Sequence, residues 1–74
     1  MGNTELHKKL GERIVHLREE SGIRQVDLAN RLDMDGGYLR RIEKGKINMT
    51  LNAVERIADA LDVEMKDLFD FKKE

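Results

Sequence analysis

Seventy-four residues carry 14 Lys and Arg, 15 Asp and Glu and no cysteine, for a formal net charge of −1. That length suits a single domain with a small core, and the missing thiols exclude disulfides and Cys-based zinc sites. No apolar run exceeds two residues, and the first residues lack the apolar stretch of a signal peptide. The chain is therefore expected to cross no membrane and to stay in the cytoplasm.

The apolar residues fall at helical spacing throughout, and no window alternates with period two for long. Leu6, Leu10, Ile14 and Leu17 predict a first helix over about 4–20, with Thr4 as its cap and Ser21-Gly22 as its stop. A short second helix follows over about 25–32, with Val26, Leu28, Ala29 and Leu32 on its buried side and Asp33 at its end. Asp35 caps a third helix over about 36–44, in which Leu39 and Ile42 face inward and Gly45 closes the element. Thr50 caps a fourth over about 51–61, with Leu51, Val54, Ile57, Ala58 and Leu61 as its stripe. Val63, Met65, Leu68 and Phe69 mark a fifth turn or short helix over about 65–70. With no proline, no repeat and only short connections, the expected fold class is all-α: a compact bundle of about five short helices.

The charge is unevenly spread along these elements. Residues 1–23 are balanced, residues 24–48 carry a net +2, and residues 49–74 carry a net −3. Within the middle block, Arg40, Arg41, Lys44 and Lys46 face Glu43 alone, giving +3 over residues 36–48. Taken as a total, the charge argues weakly against a nucleic-acid partner, whereas its distribution places a cationic cluster on one short helix. The joint around Asp33-Met34-Asp35 is too tight for an antiparallel hairpin and suits two helices crossing steeply, with Ala29 small enough for their close approach. That is a central helix-turn-helix, whose second helix can enter a DNA major groove.

Here the sequence resembles a family. The stretches Gln25-Val26-Asp27-Leu28-Ala29 and Tyr38-Leu39-Arg40-Arg41-Ile42-Glu43-Lys44-Gly45-Lys46 look like the phage repressor and Cro-like helix-turn-helix family, also called the xenobiotic-response-element family. Ile47-Asn48-Met49-Thr50-Leu51, Ile57-Ala58-Asp59-Ala60-Leu61-Asp62-Val63 and Leu68-Phe69 continue the likeness, which spans about residues 6–69. The run Asn48-Met49-Thr50-Leu51 is similar to the restriction–modification controller proteins of that family. The resemblance implies one domain over residues 1–74, with the helix-turn-helix at about 25–44 and a dimerisation segment at about 51–71. It also implies a homodimer on double-stranded DNA at a palindromic operator.

The resemblance implies further roles residue by residue. Gln25 matches a backbone-contacting position at a helix start, and Arg41 matches a position used for base contacts. Arg40 lies about 100° away around the helix, so one arginine is expected on a base and the other on a phosphate. Lys44, Lys46 and Asn48 are expected on phosphates, while the ring of Tyr38 either reaches a phosphate or packs. Arg18 and Glu43 match a structural ion pair between the first helix and the end of the third. Met65, Phe69 and Phe71 are the candidate dimer contacts, with Phe71 the better surface residue and Leu68 ordinary core.

Three positions depart from the family pattern. Arg24 stands where a Ser, Thr or Asn usually caps the second helix, and it is free to meet a phosphate instead. Asp33 stands where Gly is usual. Gly36 and Gly37 open the third helix without side chains, either to let the duplex approach closely or because specificity comes from DNA shape. Asp35 either accepts from a base amino group or is held by its cap.

Two other classes of function stand beside the regulator. One is a protein-interaction or antitoxin-like module on the same scaffold. The other is an enzyme, for which the sequence supplies no nucleophile–base set and no phosphate-binding glycine loop. His7 and His16 lie nine positions apart, about 180° around one helix, and cannot converge on a metal or substrate. No catalysis, cofactor, metal or small-molecule substrate is expected.

Overall fold

The computed structural model describes residues 4–73. The side chain of Thr4, expected to cap the first helix, lies outside the described residues. Five α-helices follow in order: α1 Thr4–Glu20, α2 Gln25–Arg31, α3 Gly36–Glu43, α4 Leu51–Leu61 and α5 Met65–Leu68. A single 3-10 turn, Phe71–Lys73, comes after them. The chain expected to stay helical to residue 70 leaves the α-helix at Leu68. There Phe69 and Asp70 bond back three residues to Lys66 and Asp67, which tightens the last turn.

Four of the helices end in the same way. In each, a left-handed residue turns the chain, and the amide after it donates five residues back: Ile23 to Arg18, Met34 to Ala29, Lys46 to Arg41 and Val63 to Ala58. This is the Schellman arrangement. Glycine supplies the left-handed residue after α1 and α3, at Gly22 and Gly45. Asp33 and Asp62 supply it after α2 and α4, with φ of 54° and 59°. At the helix starts, the Asp35 carboxylate accepts from the amides of Gly37 and Tyr38, and the Thr50 hydroxyl accepts from Ala53. Each cap of this kind contributes about 1 kcal/mol.

Leu10, Ile14 and Leu17 of α1 pack with Leu28, Ala29 and Leu32, with Leu39 and Ile42 of α3, with Val54, Ile57, Ala58 and Leu61 of α4, and with Leu68 of α5. Two expected core residues are not in it. Val26 is 53% exposed, because Leu28, Ala29 and Leu32 set the buried face of α2 and Val26 points more than about 100° away from it. Leu51 is 74% exposed: the first turn of α4 runs past the core, and Thr50, Leu51 and Asn52 are all solvent-facing.

One glycine in a helix interior has a packing cause. A Cβ at Gly11 would stand 2.5 Å from the carbonyl oxygen of Glu43 and 2.7 Å from that of Ile42. Gly11 therefore marks the seam where α1 receives the end of α3, and Gly45 continues it against the backbone of Lys8. Gly11→Ala is expected to lower stability by at least about 1–3 kcal/mol, the usual cost of overpacking a tight contact. A urea unfolding midpoint equal to wild type would show that the seam opens freely.

Candidate nucleic-acid interface

The site is built on a buried carboxylate. Glu43, the last residue of α3, accepts from Arg18 of α1, with Nε to Oε2 at 2.9 Å and Nη2 to Oε1 at 3.4 Å. Both side chains are withdrawn from solvent. Arg18 also donates through Nη1 to the carbonyl of Ile23, and Gln25 donates through Nε2 to Glu43 Oε1 at 2.7 Å. One carboxylate thus joins the end of α1, the turn after it, the first residue of α2 and the end of α3. Gln25, expected to face a phosphate, is half-buried with one amide hydrogen given to Glu43. A primary amide has a second hydrogen, which this contact leaves available.

The remaining arginines divide sharply by partner. Arg13 donates to the carbonyl of Asp67, Arg31 to that of Ala60 and Arg56 to that of Leu32. Each of these carbonyls lies at the C-terminal end of another helix, where the backbone leaves acceptors unsatisfied. Arg24 holds Asp27 in a two-point pair, at 2.9 and 3.2 Å. Hydrogen bonding to Arg24 lowers the pKa of Asp27, and the same contact raises that of Arg24. Because the folded-state pKa of Asp27 is lowered, the pair is in place at neutral pH and is lost as pH falls through that lowered value. Arg24, just before α2, thus meets a carboxylate in the first turn of that helix while remaining exposed.

Arg40, Arg41, Lys44 and Lys46 are different. All four are exposed, and among the described residues none of their side chains makes an ion pair or hydrogen bond. With Asp35, Gly37 and Tyr38 they line an open depression of about 510 Å³ along α3. Tyr38 is 43% exposed, and Asn48 is exposed just beyond Lys46. Asp35 borders the same depression, but one of its oxygens is held by two amide hydrogens of its own cap. The cations fall in the last turn of α3 and after it, where the helix dipole favours positive charge.

The candidate dimer residues lie elsewhere. Phe69 is 39% exposed and meets Phe71 edge-on at 6.3 Å between ring centroids. Phe71 and Met65 are half-buried, so Phe69 is the more open ring, and Lys9 lies 6.0 Å over Phe71. Sequence reasoning missed Leu51 as a surface residue, because its phase around α4 matches the core stripe. It missed Asp27 as the partner of Arg24, although their i, i+3 spacing was a usable signal. The Gln25–Glu43 contact spans 18 positions and has no local signature.

Two short helices packed together, the second tied to α1 by a buried ion pair and presenting an unneutralised cationic face, define a helix-turn-helix domain. The chain belongs to the helix-turn-helix domain family, whose sequence profile matches residues 9–70. It is 37% identical over 62 residues to the control protein C.BamHI of Bacillus amyloliquefaciens, covering 82% of this chain and 76% of that one. The restriction–modification controller protein C.AhdI of Aeromonas hydrophila superimposes with a TM-score of 0.80 at 35% identity, over 84% of this chain and 94% of the other. The controller protein C.Esp1396I, solved as a tetramer in complex with its natural 35 base-pair operator, superimposes with a TM-score of 0.81 at 32% identity. That match covers 92% of this chain and 91% of the other.

The ion pair is the most sensitive element of the site. Glu43→Ala leaves the buried Arg18 guanidinium without a counter-charge and is expected to cost about 3–5 kcal/mol of unfolding free energy. A loss below about 1 kcal/mol in chemical denaturation would mean that the pair acts as an exposed surface contact.

Proposed function

We propose that the chain is a sequence-specific DNA-binding transcription regulator of the controller type, working as a homodimer on a palindromic operator in the cytoplasm, with no catalytic activity. The observation that carries this reading is the unpartnered cationic face of α3, set apart from arginines that are all engaged within the fold. B-DNA's major groove, about 12 Å wide, admits a helix, and phosphates line both its edges. Arg40 and Arg41 diverge by about 100°, so one reaches the O6 and N7 edge of a guanine while the other meets a phosphate. Lys44, Lys46, Asn48 and the hydroxyl of Tyr38 hold the backbone on the same side. Gln25 reaches a phosphate with its second amide hydrogen while keeping Glu43, and Arg24 does so only by sharing or releasing Asp27.

Dimerisation supports this reading because one helix-turn-helix reads only a short half-site, and joining two multiplies affinity without new contacts. Among the described residues from α4 onward, the large exposed apolar side chains are Leu51 and Phe69, with Met65 packed against the core and Phe71 half-buried beside Phe69. These are the proposed contacts between copies. The relative C.Esp1396I forms a tetramer on its operator. By likeness in fold and length, two dimers of this chain would bind adjacent sites.

Binding to duplex DNA should weaken steeply with salt, with a log–log slope of about −0.9 for each phosphate contacted. Lys46→Ala is expected to weaken all sequences alike and to flatten that slope by about one unit. Arg41→Ala is expected to relax sequence preference by about 1–3 kcal/mol. Electrophoretic mobility shifts over a salt series, after selection of operators from a random duplex pool, measure both. Absence of binding at low salt would instead favour a protein-interaction module on this scaffold.

For the interface between copies, Leu51→Asp alters a side chain that is 74% exposed and Phe69→Asp one that is 39% exposed, and thermal melts of both variants check that the monomer fold is retained. Sedimentation at micromolar concentration should show a dimer for wild type and a shift toward about 8.6 kDa for the variants. Unchanged sedimentation of both variants would place the interface elsewhere.

A further inference from the structure

Gly36 has no counterpart inside the chain that explains it. The other described glycines do: Gly11 faces the α3 carbonyls, Gly22 and Gly45 hold positive φ, and a Cβ on Gly37 would press to 3.0 Å from the capping oxygen of Asp35. Gly36 does not hold positive φ, and a Cβ built on it meets nothing within 4 Å. Alanine would fit there and would favour the helix, since glycine is among the weakest helix formers. The chain therefore keeps a helix-weakening residue at the first position of α3, and nothing within the fold compensates for it.

Its position supplies the reason. Gly36 and Arg40 lie at i and i+4 on one side of α3, and Lys44, the C-cap, follows one turn further on. The helix is thus bare at the front and carries long cations behind. The Cα atoms lie about 2.3 Å from a helix axis, whereas a fully dressed helix is about 10–12 Å across. A helix tapered in this way fits a groove about 12 Å wide and 8.5 Å deep with its front turn lowermost.

We infer that Gly36 is a specificity-determining residue: its missing Cβ lets the duplex close on the first turn of α3, so that the helix enters tip-first and the arginines behind it are lowered toward the base edges. The inference rests on the DNA-binding reading above and fixes how α3 is seated within it. It also separates close approach from readout of DNA shape alone, in which a methyl group at this position would have nothing to meet.

The test uses the full chain and duplexes selected from a random pool by wild type. Wild type, Gly36→Ala and Gly36→Ser are compared on a selected duplex, on an unselected duplex and in thermal melts at equal concentration. Gly36→Ala should melt at a higher temperature and lose about 5- to 150-fold in affinity for the selected duplex, the equivalent of overpacking one tight contact. Its binding to unselected DNA at low salt, and the salt slope of that binding, should match wild type, because non-specific binding does not seat the helix. Gly36→Ser should lose affinity for the selected duplex as well. Equal affinity of wild type and Gly36→Ala for the selected duplex overturns the inference and leaves DNA binding standing. A lower melting temperature for Gly36→Ala also overturns it, since the glycine would then serve the fold. Failure of wild type to bind any duplex at low salt removes the inference together with the reading beneath it.

Discussion

The buried carboxylate of Glu43 is the constraint on which the presentation of α3 depends. The apolar core holds α3 down through Leu39 and Ile42, which are 0% and 1% exposed, but burial of apolar area has no direction. The charge-assisted hydrogen bonds from Arg18 and the amide bond from Gln25 do have direction, and they act at one end of the helix. A carboxylate taken out of water is costly unless its lone pairs are filled. Three donors from two residues fill those of Glu43, and Arg18 directs its remaining nitrogen to the carbonyl of Ile23. The angle of α3 and the position of the first residue of α2 are therefore set together. Any ligand that meets Gln25 also meets the network that aims the helix.

The same logic sorts the cations. Arginine reaches the C-terminal carbonyls of neighbouring helices in three places, from α1 to α5, from α2 to α4 and from α4 to α2. The last two are reciprocal, each helix closing the end of the other. These guanidiniums act as tertiary caps, and their charge is drawn into the carbonyl dipoles of the fold. What is left unengaged on α3 and just after it is compact: two arginines, two lysines and a half-exposed tyrosine around one depression. A chain of net charge −1 can thus offer a locally cationic surface, because the acids outnumber the bases chiefly in the last third. Along the chain the positive excess falls in residues 36–48 and the negative excess in residues 49–74.

Much of the scaffold was legible in the sequence. The apolar periodicity marks all five helices, Asp35 and Thr50 stand where caps are needed, and Gly22 and Gly45 stand where the chain turns left-handed. What periodicity gives is a direction around a helix axis. It does not say how far the neighbouring helices extend, which is why Leu51 has the phase of a core residue and the exposure of a surface one. Nor does it anticipate a seven-residue helix whose buried face is fixed by Leu28, Ala29 and Leu32, leaving Val26 outside. Pairings across 18 to 54 positions, such as Gln25 with Glu43 or Arg13 with Asp67, leave no local trace. The Arg18–Glu43 pairing was available only through resemblance to a family, because 25 positions separate its partners. Gly11 did carry a signal, a glycine inside a helical pattern, whose cause appears only with α3 in place.

The charge along α3 follows the helix dipole and leaves the front of the helix small. Asp35 sits at the positive end and holds two amide hydrogens, so its negative charge is matched by the backbone it caps. Arg40, Arg41 and Lys44 sit toward the negative end, where each favours the helix by a few tenths to about 1 kcal/mol without needing a partner side chain. This resolves an apparent conflict. Four unpaired cations close together repel, and such a cluster would ordinarily be relieved by a nearby acid, but the one acid of α3 is already buried with Arg18. Exposure to water and the terminal carbonyls of α3 supply the offset instead. The consequence is a helix that is stable when free and still electrostatically unsatisfied, with its bulk and charge at one end and two glycines at the other. In the proposed docking, a polyanionic duplex complements both features at once, its phosphates set against the charged end and its groove against the bare one.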